Sequence, residues 1–121
     1  MTYTILIHES PAALAMRSAP DPAQREALFA PVFRYIKALR DAGIHVAGAG
    51  LDLPATAKTL RCRESGGPAV QDGPFAETKE QLAGFVVIDV PDVETALDWA
   101  SRFPPMPGRV LELRPNLQPR E

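Results

Sequence analysis

Residues 71–85 read QDGPFAETKEQLAGF and place several charged side chains between two apolar runs. Asp72 is a candidate proton acceptor or ligand anchor, provided that it lies at the mouth of a cleft. The structural alternative is a turn in which the Asp72 carboxylate accepts N–H bonds from its own backbone. Gly73 supplies free φ in such a turn, and Pro74 keeps Gly73 out of the helical region. Phe75 is predicted to pack the turn against the core.

The acidic run behind the turn has two interpretations. In a helical turn over residues 76–82, Glu77 and Glu80 lie on one side, which is typical of a solvated face. Lys79 would instead reach Asp72 or the anion of a ligand if the run forms a site. No bound metal is predicted, because these carboxylates have no histidine or further fixed oxygen ligand at close spacing.

Other residue types that often do chemistry are sparse. His8 ends the first predicted strand, either as a general base near pH 7 or as a histidine bonded to a loop carbonyl. His45 is predicted to lie at the surface. Cys62 has arginine neighbours, but these point to the opposite face of a strand, so a structural thiol is predicted. Trp99 is predicted to pack in the core or at an interface.

Composition narrows the class of protein. The 121 residues are 45% apolar and 23% charged, which is typical of one globular domain. A net charge of −2 provides no basic field for a nucleic acid. A single cysteine excludes an intrachain disulfide, and no apolar run approaches the ~18 residues of a membrane span. The N-terminus lacks the basic region of a signal peptide, so a cytoplasmic location is expected.

Two helices are predicted from caps and apolar spacing. The first begins at Asp21–Pro22 and ends at Gly43, with a kink or a restart expected at Pro31. The second begins after the N-cap Asp92 and ends at Phe103. The predicted buried residues of the first are Leu28, Val32, Ile36 and Leu39, with Phe29 and Phe33 widening the stripe. Those of the second are Val93, Ala96, Leu97 and Ala100.

Strands alternate with these helices. The full predicted order is strand 3–8, loop 9–20, the first helix, strand 44–51, hairpin strands 58–63 and 69–71, strand 85–90, the second helix and strand 109–114. Strand–helix–strand therefore occurs twice, on either side of a small hairpin. Two split βαβ halves predict an α+β, ferredoxin-like fold with an inserted hairpin, in which one antiparallel sheet carries two helices on one face.

The apolar strands predict self-association. The segment FVVI is apolar on both faces of its strand, whereas two helices cover only one face of a sheet. A second copy of the same face is the simplest cover for the other side. The sequence therefore predicts a homodimer with sheets packed face to face.

The segment DGPFAETKEQLAGF, followed by IDV and an acidic helix with ALDWA, resembles the DGPF-domain branch of the YCII-related family. The pieces YTILIH, LRDAGI, GLDLPATAKTLR and LELRP extend the resemblance over residues 1–115, which leaves 116–121 as a flexible tail. The resemblance implies a dimeric ferredoxin-like α+β barrel in a small bacterial protein, often encoded near extracytoplasmic-function sigma factors. A family relationship to enzymes with a His–Asp pair in a cleft implies His8 and Asp72 as the catalytic pair.

Three functions remain open from the sequence. The first is a small-molecule cleft between sheet and helices or across the dimer, with acid–base chemistry and no cofactor. The second is a non-catalytic module that binds a metabolite or a protein, linked to sigma-factor or stress regulation. The third is a purely structural turn. The residues predicted to contact a ligand, besides Asp72 and His8, are Leu51, Gly73, Pro74, Phe75, Lys79 and Phe85, with Phe33 in the wall.

Overall fold

The computed structural model describes residues 1–118 and contains one four-stranded sheet, one hairpin and three α-helices. The strands are β1 (Thr2–Glu9), β2 (His45–Gly50), β3 (Lys58–Arg61), β4 (Ala69–Asp72), β5 (Gln81–Asp89) and β6 (Arg109–Pro115). The helices are α1 (Pro11–Ala15), α2 (Pro22–Asp41) and α3 (Val93–Ser101), with short 3₁₀ turns at Met16–Ser18 and Pro54–Thr56.

The main sheet has the order β2-β5-β1-β6, and each neighbouring pair is antiparallel. The two halves β1-α2-β2 and β5-α3-β6 each skip over one strand of the other half, as split βαβ units do. The fold is therefore α+β and compatible with the predicted ferredoxin-like arrangement. Within residues 1–118, strands β3 and β4 pair only with each other and form the predicted inserted hairpin.

Burial alternates along β1 because successive side chains of a strand point to opposite faces. Tyr3, Ile5, Ile7 and Glu9 are buried toward the helices, and the residues between them are half-buried on the other face. The register with β5 places Val86 and Ile88 on the same buried side. The core therefore lies between this sheet face and the helices α2 and α3.

Helix α2 begins where its cap predicts. The Asp21 carboxylate accepts the Ala23 N–H at 2.9 Å, and Gly43 has φ 73° just beyond the end of the helix. The helix runs through Pro31 without a break, so a restart there is wrong. Tyr35 and Leu39 are its buried residues, whereas Phe33 is 69% exposed.

The hydroxyl of Tyr35 ties α2 to α3. It donates to the Trp99 carbonyl at 2.7 Å, and burial raises the pKa of Tyr35 to about 12, partly offset by the Arg102 charge. On α3, hydrogen bonds from the hydroxyl and backbone N–H of Thr95 lower the pKa of the capping Asp92. Local caps and one long-range bond thus fix both long helices.

The buried stripe predicted for α3 is wrong at two positions. Ala96 and Ala100 are buried, but Val93 and Leu97 are 41% and 55% exposed. The helix packs through its alanines, and the two larger side chains point outward. Phe103 is buried just after the helix ends and packs against Tyr35 at 5.0 Å between ring centroids.

The predicted loop at residues 9–20 contains helix α1. Its N-cap is Ser10, whose Oγ accepts the Ala13 N–H at 3.2 Å, with Pro11 at the first helical position. This is the same signal that correctly places the start of α2. The helix was missed because five residues are too few to show apolar periodicity.

The segment around DGPF also differs from its prediction. No helical turn forms within residues 76–82 of the described chain, and β5 begins at Gln81. Phe75 is 73% exposed, so its packing against the core is wrong. The Arg61 guanidinium instead lies 5.3 Å from the centroid of the Phe75 ring. Cys62, directly after the end of β3, is exposed, so the prediction of a structural thiol is wrong.

At the C-terminus, Asn116 continues the contacts of β6. Its backbone N–H donates to the Thr2 carbonyl at 3.0 Å, and its side chain bonds to Thr2 and Thr4. The predicted tail at 116–121 therefore begins with an anchored residue, and 119–121 lie outside the described residues.

Within residues 1–118, no helix is both long enough and apolar enough to cross a membrane.

Candidate functional site

A cavity of about 730 Å³ lies between the sheet and α2. Its walls are largely apolar, and Leu51, Phe33 and Phe85, the residues predicted for a cleft, all border it. The register of Phe85 with Leu6 directs the Phe85 side chain to the opposite face of the sheet, so Phe85 borders the cavity without pointing into it. Its other apolar lining includes Ile7, Phe29, Val32, Ile36, Leu53, Val86 and Phe103. A cavity therefore lies between the sheet and α2, and its use as a ligand-binding cleft stays a prediction.

One end of the cavity is formed by the Arg17–Glu9–Arg109 cluster. Glu9 is only 1% exposed, and its Oε1 accepts a hydrogen bond from Arg17 Nη2 at 3.2 Å. Its Oε2 accepts from Arg109 Nε at 2.9 Å. Both guanidinium groups are themselves largely buried. A buried carboxylate is thus held between two buried cations, and all three residues line the cavity.

The local fold explains how these three residues meet. Glu9 follows Tyr3, Ile5 and Ile7 on the buried face of β1, so its side chain points toward the helices. Glu9 pairs with Arg109, the first residue of β6, in the register of the sheet. Arg17 lies in the 3₁₀ turn that follows α1 and folds back over the end of β1.

Each guanidinium makes further bonds that fix its position. Arg17 donates to the carbonyls of Leu51 and Ala83, the latter at 3.2 Å. Arg109 donates to the Pro104 carbonyl at 2.7 Å and to the Met106 sulfur at 3.8 Å. Within residues 1–118, no buried side-chain nitrogen or oxygen lacks a partner. The cluster is therefore a rigid part of the cavity.

The cluster leaves an excess of positive charge. Two guanidinium groups face one carboxylate, whereas the whole chain has a net charge of −2. Arg40 and Asp52, which also line the cavity, carry opposite charges. A charge in a largely apolar enclosure interacts more strongly than one in water, so this excess makes the cavity favourable for an anion.

Three glycines shape the edge of the cavity between β2 and β5. An added Cβ at Gly48 would lie 2.9 Å from the Phe85 carbonyl oxygen, and one at Gly84 would lie 2.9 Å from that of Ala49. These two glycines allow the close approach of the strands. Gly50 differs, because a Cβ there meets no atom of residues 1–118 within 4 Å. Gly50 therefore opens onto the cavity that it lines.

The structure gives the predicted catalytic pair separate partners. The Asp72 carboxylate is 84% exposed and lies 2.5 Å from the ammonium of Lys58. His8 Nε2 lies 3.4 Å from the Glu112 carboxylate. Within the described residues, no hydrogen bond or ion pair joins Asp72 to His8 or to Lys79. Cooperation between Asp72 and His8 stays a prediction.

A second cavity, of about 690 Å³, lies beside the hairpin. Its lining includes four of the residues predicted for the site, namely His8, Leu51, Pro74 and Phe75. Asp72, Gly73 and Lys79 line neither of these two cavities. The Gly73 carbonyl instead accepts the Thr59 hydroxyl at 2.7 Å, which secures the turn to β3.

The acidic run is organised by its own side chains. Gln81 Nε2 donates to the Ala76 carbonyl at 2.8 Å, and the Thr78 hydroxyl donates to the Glu80 carbonyl at 2.5 Å. Across residues 1–118, no group of three or more His, Cys, Asp or Glu side chains is placed to hold a metal ion. The run forms a compact loop at the border of the second cavity.

Sequence reasoning missed Glu9, Arg17 and Arg109. One signal for Glu9 was available, since the alternation of Tyr3, Ile5 and Ile7 continues to position 9 on the buried side. A buried carboxylate requires a partner, so this position alone points to a charged or hydrogen-bonding neighbour. The identity of the partners depends on contacts 8 and 100 residues away along the chain.

Residues 1–115 match the YCII-related domain. The chain belongs to the YCII-related family. An uncharacterized protein of Rhizobium meliloti (strain 1021) is 50% identical over 48 residues, which cover 40% of this chain and 39% of that protein. The DGPF branch remains a resemblance carried by residues 72–85, the following IDV and the helix with ALDWA.

Proposed function

We propose that this YCII-related protein binds a small organic molecule in the cavity between the sheet and α2. The observation that supports this is a cavity of about 730 Å³ with apolar walls and a buried, charged end. Small-molecule sites typically measure ~300–1,000 Å³ and combine apolar walls with a few fixed polar groups. The Arg17–Glu9–Arg109 cluster supplies those groups.

The Arg17–Glu9–Arg109 cluster suits binding better than proton transfer. Both oxygens of Glu9 accept hydrogen bonds from guanidinium groups, which keeps the carboxylate occupied in orienting its neighbours. An arginine side chain does not release its proton at ordinary pH. Acid–base chemistry through Asp72 and His8 is a separate proposal, supported by the position of His8 at the second cavity.

Filling the first cavity from Gly50 tests the proposal. Gly50→Leu places a side chain into open space without a backbone clash and is expected to preserve the fold. In a thermal-shift screen of metabolites, a compound that raises the Tm of the wild-type protein should lose that effect in Gly50→Leu. Ala38→Leu, at an exposed position of α2, is the matched control and should keep the full shift.

The screen also separates binding in the first cavity from binding elsewhere. A compound that stabilises the wild type and Gly50→Leu equally binds elsewhere, and this result would contradict the proposal. Adding Asp72→Asn to the screen identifies binding at the DGPF turn. A compound whose effect is lost only in Asp72→Asn would move the site to the turn and support the Asp72 prediction.

We further propose that the open face of the main sheet packs against a second copy of the chain. Leu6, Phe85 and Val87 are half-buried on this face, and Val110 is 51% exposed beside them. The helices cover only the opposite face. A face-to-face pair of identical sheets buries these apolar side chains without requiring another protein.

Placing a charge on the open face tests the homodimer. In a symmetric interface, Val87→Arg introduces two like charges into a buried contact, so the variant should become monomeric. Light scattering at micromolar concentration should show a dimer for the wild type and for Leu97→Arg, whose site on α3 is exposed and remote from this face. A monomeric wild type would contradict the proposal.

A cytoplasmic location and a partner in sigma-factor or stress regulation remain proposals from the sequence and the family resemblance.

A further inference from the structure

We propose that the ligand is an organic monoanion, a carboxylate with an apolar body, whose charged end binds Arg17. This inference rests on the proposed function and names the chemical class of its ligand. It depends on three properties of the cavity, namely the net charge of its lining, the N–H donors of Arg17 that have no partner within the described residues, and the apolar character of the wall near Arg17.

The charge of the lining favours one negative charge. Three arginines (Arg17, Arg40 and Arg109) and two carboxylates (Glu9 and Asp52) line the cavity, together with His45. With neutral His45, the lining carries a single excess positive charge. A ligand with one negative charge neutralises this excess, whereas a polyphosphate would leave several charges without partners. The cavity should therefore bind a ligand with one negative charge in preference to a ligand with several.

Arg17 and Arg109 each use three of their five N–H groups within the described residues, so the preference for Arg17 comes from its remaining Nε–H and its greater exposure. A guanidinium has five N–H groups, and the bonds of Arg17 to Glu9, Leu51 and Ala83 use three of them within the described residues. Its Nε–H is one of the two that remain. In Arg109 all three nitrogens donate, including Nε to Glu9 and Nη1 to Pro104. The Arg17 side chain is also the more exposed of the two, at 15% against 9%.

The wall near Arg17 suits the apolar part of such a ligand. The Phe29 ring lies 5.9 Å from the Arg17 guanidinium carbon, and Val32, Phe33 and Ile36 continue the wall along α2. A carboxylate at Arg17 would therefore extend its aryl or alkyl chain along an apolar surface. Glu9 holds the guanidinium in place through its bond to Nη2.

Pairs of acids and amides test this inference directly. The affinities of 3-phenylpropionate and hexanoate for the wild-type protein are measured by isothermal titration calorimetry, and each acid is compared with its own amide. The two members of a pair have nearly the same shape but differ in charge. A hydrogen bond to a charged group is worth more than a neutral one, so each acid should bind about tenfold tighter than its amide or better. Raising the salt concentration should weaken only the acids.

Variants at position 17 test whether Arg17 causes the preference for acids over amides. Arg17→Gln should abolish the acid-over-amide preference, and Arg17→Lys should retain part of it through its charge. Arg34→Gln, at an exposed position on the same helix as the wall, is the control and should bind like the wild type. If Arg17→Gln does not fold, the acid-over-amide preference of the wild type and its reduction in Arg17→Lys still test the role of Arg17.

The outcomes separate this inference from the proposed function. If the amides bind as tightly as the acids and their binding is lost in Gly50→Leu, the preference for an anionic ligand is contradicted. The proposal that the cavity binds a ligand is then still supported. The same follows if neither acid binds but an unrelated neutral compound does so in the cavity. Acid selectivity that survives Arg17→Gln would overturn the role of Arg17. A wild type that no compound stabilises would contradict the proposed function itself.

Discussion

Glu9→Ala is expected to lower the free energy of unfolding by about 3–5 kcal/mol. The substitution leaves Arg17 and Arg109 buried without the carboxylate that both of them contact. Breaking a buried ion pair costs this much because the remaining charge cannot regain its hydration. Urea denaturation followed by circular dichroism measures the change.

Glu112→Ala is the control for this prediction. Glu112 also contacts two basic side chains, His8 and Arg114, but it is 49% exposed. Exposed ion pairs contribute less than about 1 kcal/mol, so this variant should stay close to the wild type. Equal stabilities of the two variants would show that the Arg17–Glu9–Arg109 cluster is not the buried network described here.

Gly108→Ala is expected to destabilise the protein by about 2–4 kcal/mol, the sum of backbone strain and loss of a helix cap. Gly108 has φ 82°, a conformation that side chains with a Cβ adopt only at a cost. Its added Cβ would overlap the Ser10 Oγ and lie 3.0 Å from the Ser10 Cβ. Ser10 caps α1 and donates its backbone N–H to the Gly108 carbonyl at 2.8 Å.

Gly66→Ala provides a matched comparison. Gly66 has the same φ of 82°, but an added Cβ there meets no atom within 4 Å. This variant should therefore show only the backbone strain of about 1–2 kcal/mol. The difference between the two unfolding free energies isolates the contact with Ser10, beside the buried cluster. If Gly108→Ala lowers the free energy of unfolding no more than Gly66→Ala does, the predicted clash between a side chain at position 108 and Ser10 is contradicted.

Local signals predicted the helix starts because a cap and its helix are neighbours in sequence. Asp21–Pro22 and Asp92 each mark the residue at which a helix begins. The repeated strand–helix–strand order was sufficient for the α+β architecture. Ser10–Pro11 carries the same signal, but its helix is too short for apolar periodicity to confirm it.

Side-chain burial was harder to predict where it depends on packing between distant elements. The exposure of Phe75 follows from the separate pairing of β3 with β4, which apolar character alone does not indicate. Val93 and Leu97 fit a helical stripe by spacing, yet the alanines between them make the contact. Which face of a short helix meets the sheet is decided by the whole core.

The candidate site was predictable only in part. Leu51, Phe33 and Phe85 were predicted for the wall of a cleft, and they border the cavity. The charged end was not predicted, because Glu9, Arg17 and Arg109 are single charges in separate elements and no local pattern marks them as a cluster. Glu9 and Arg109 lie 100 residues apart and meet only through the register of β1 and β6.

The most direct test of ligand binding between the sheet and α2 is a titration of ¹⁵N-labelled protein followed by two-dimensional NMR. The titrant is the compound that gives the largest thermal shift. The amide signals of Glu9, Arg17 and Gly50 should move together and saturate with one Kd. Movement confined to the amides of Gly73 and Phe75 would place the ligand at the DGPF turn and contradict the cavity site.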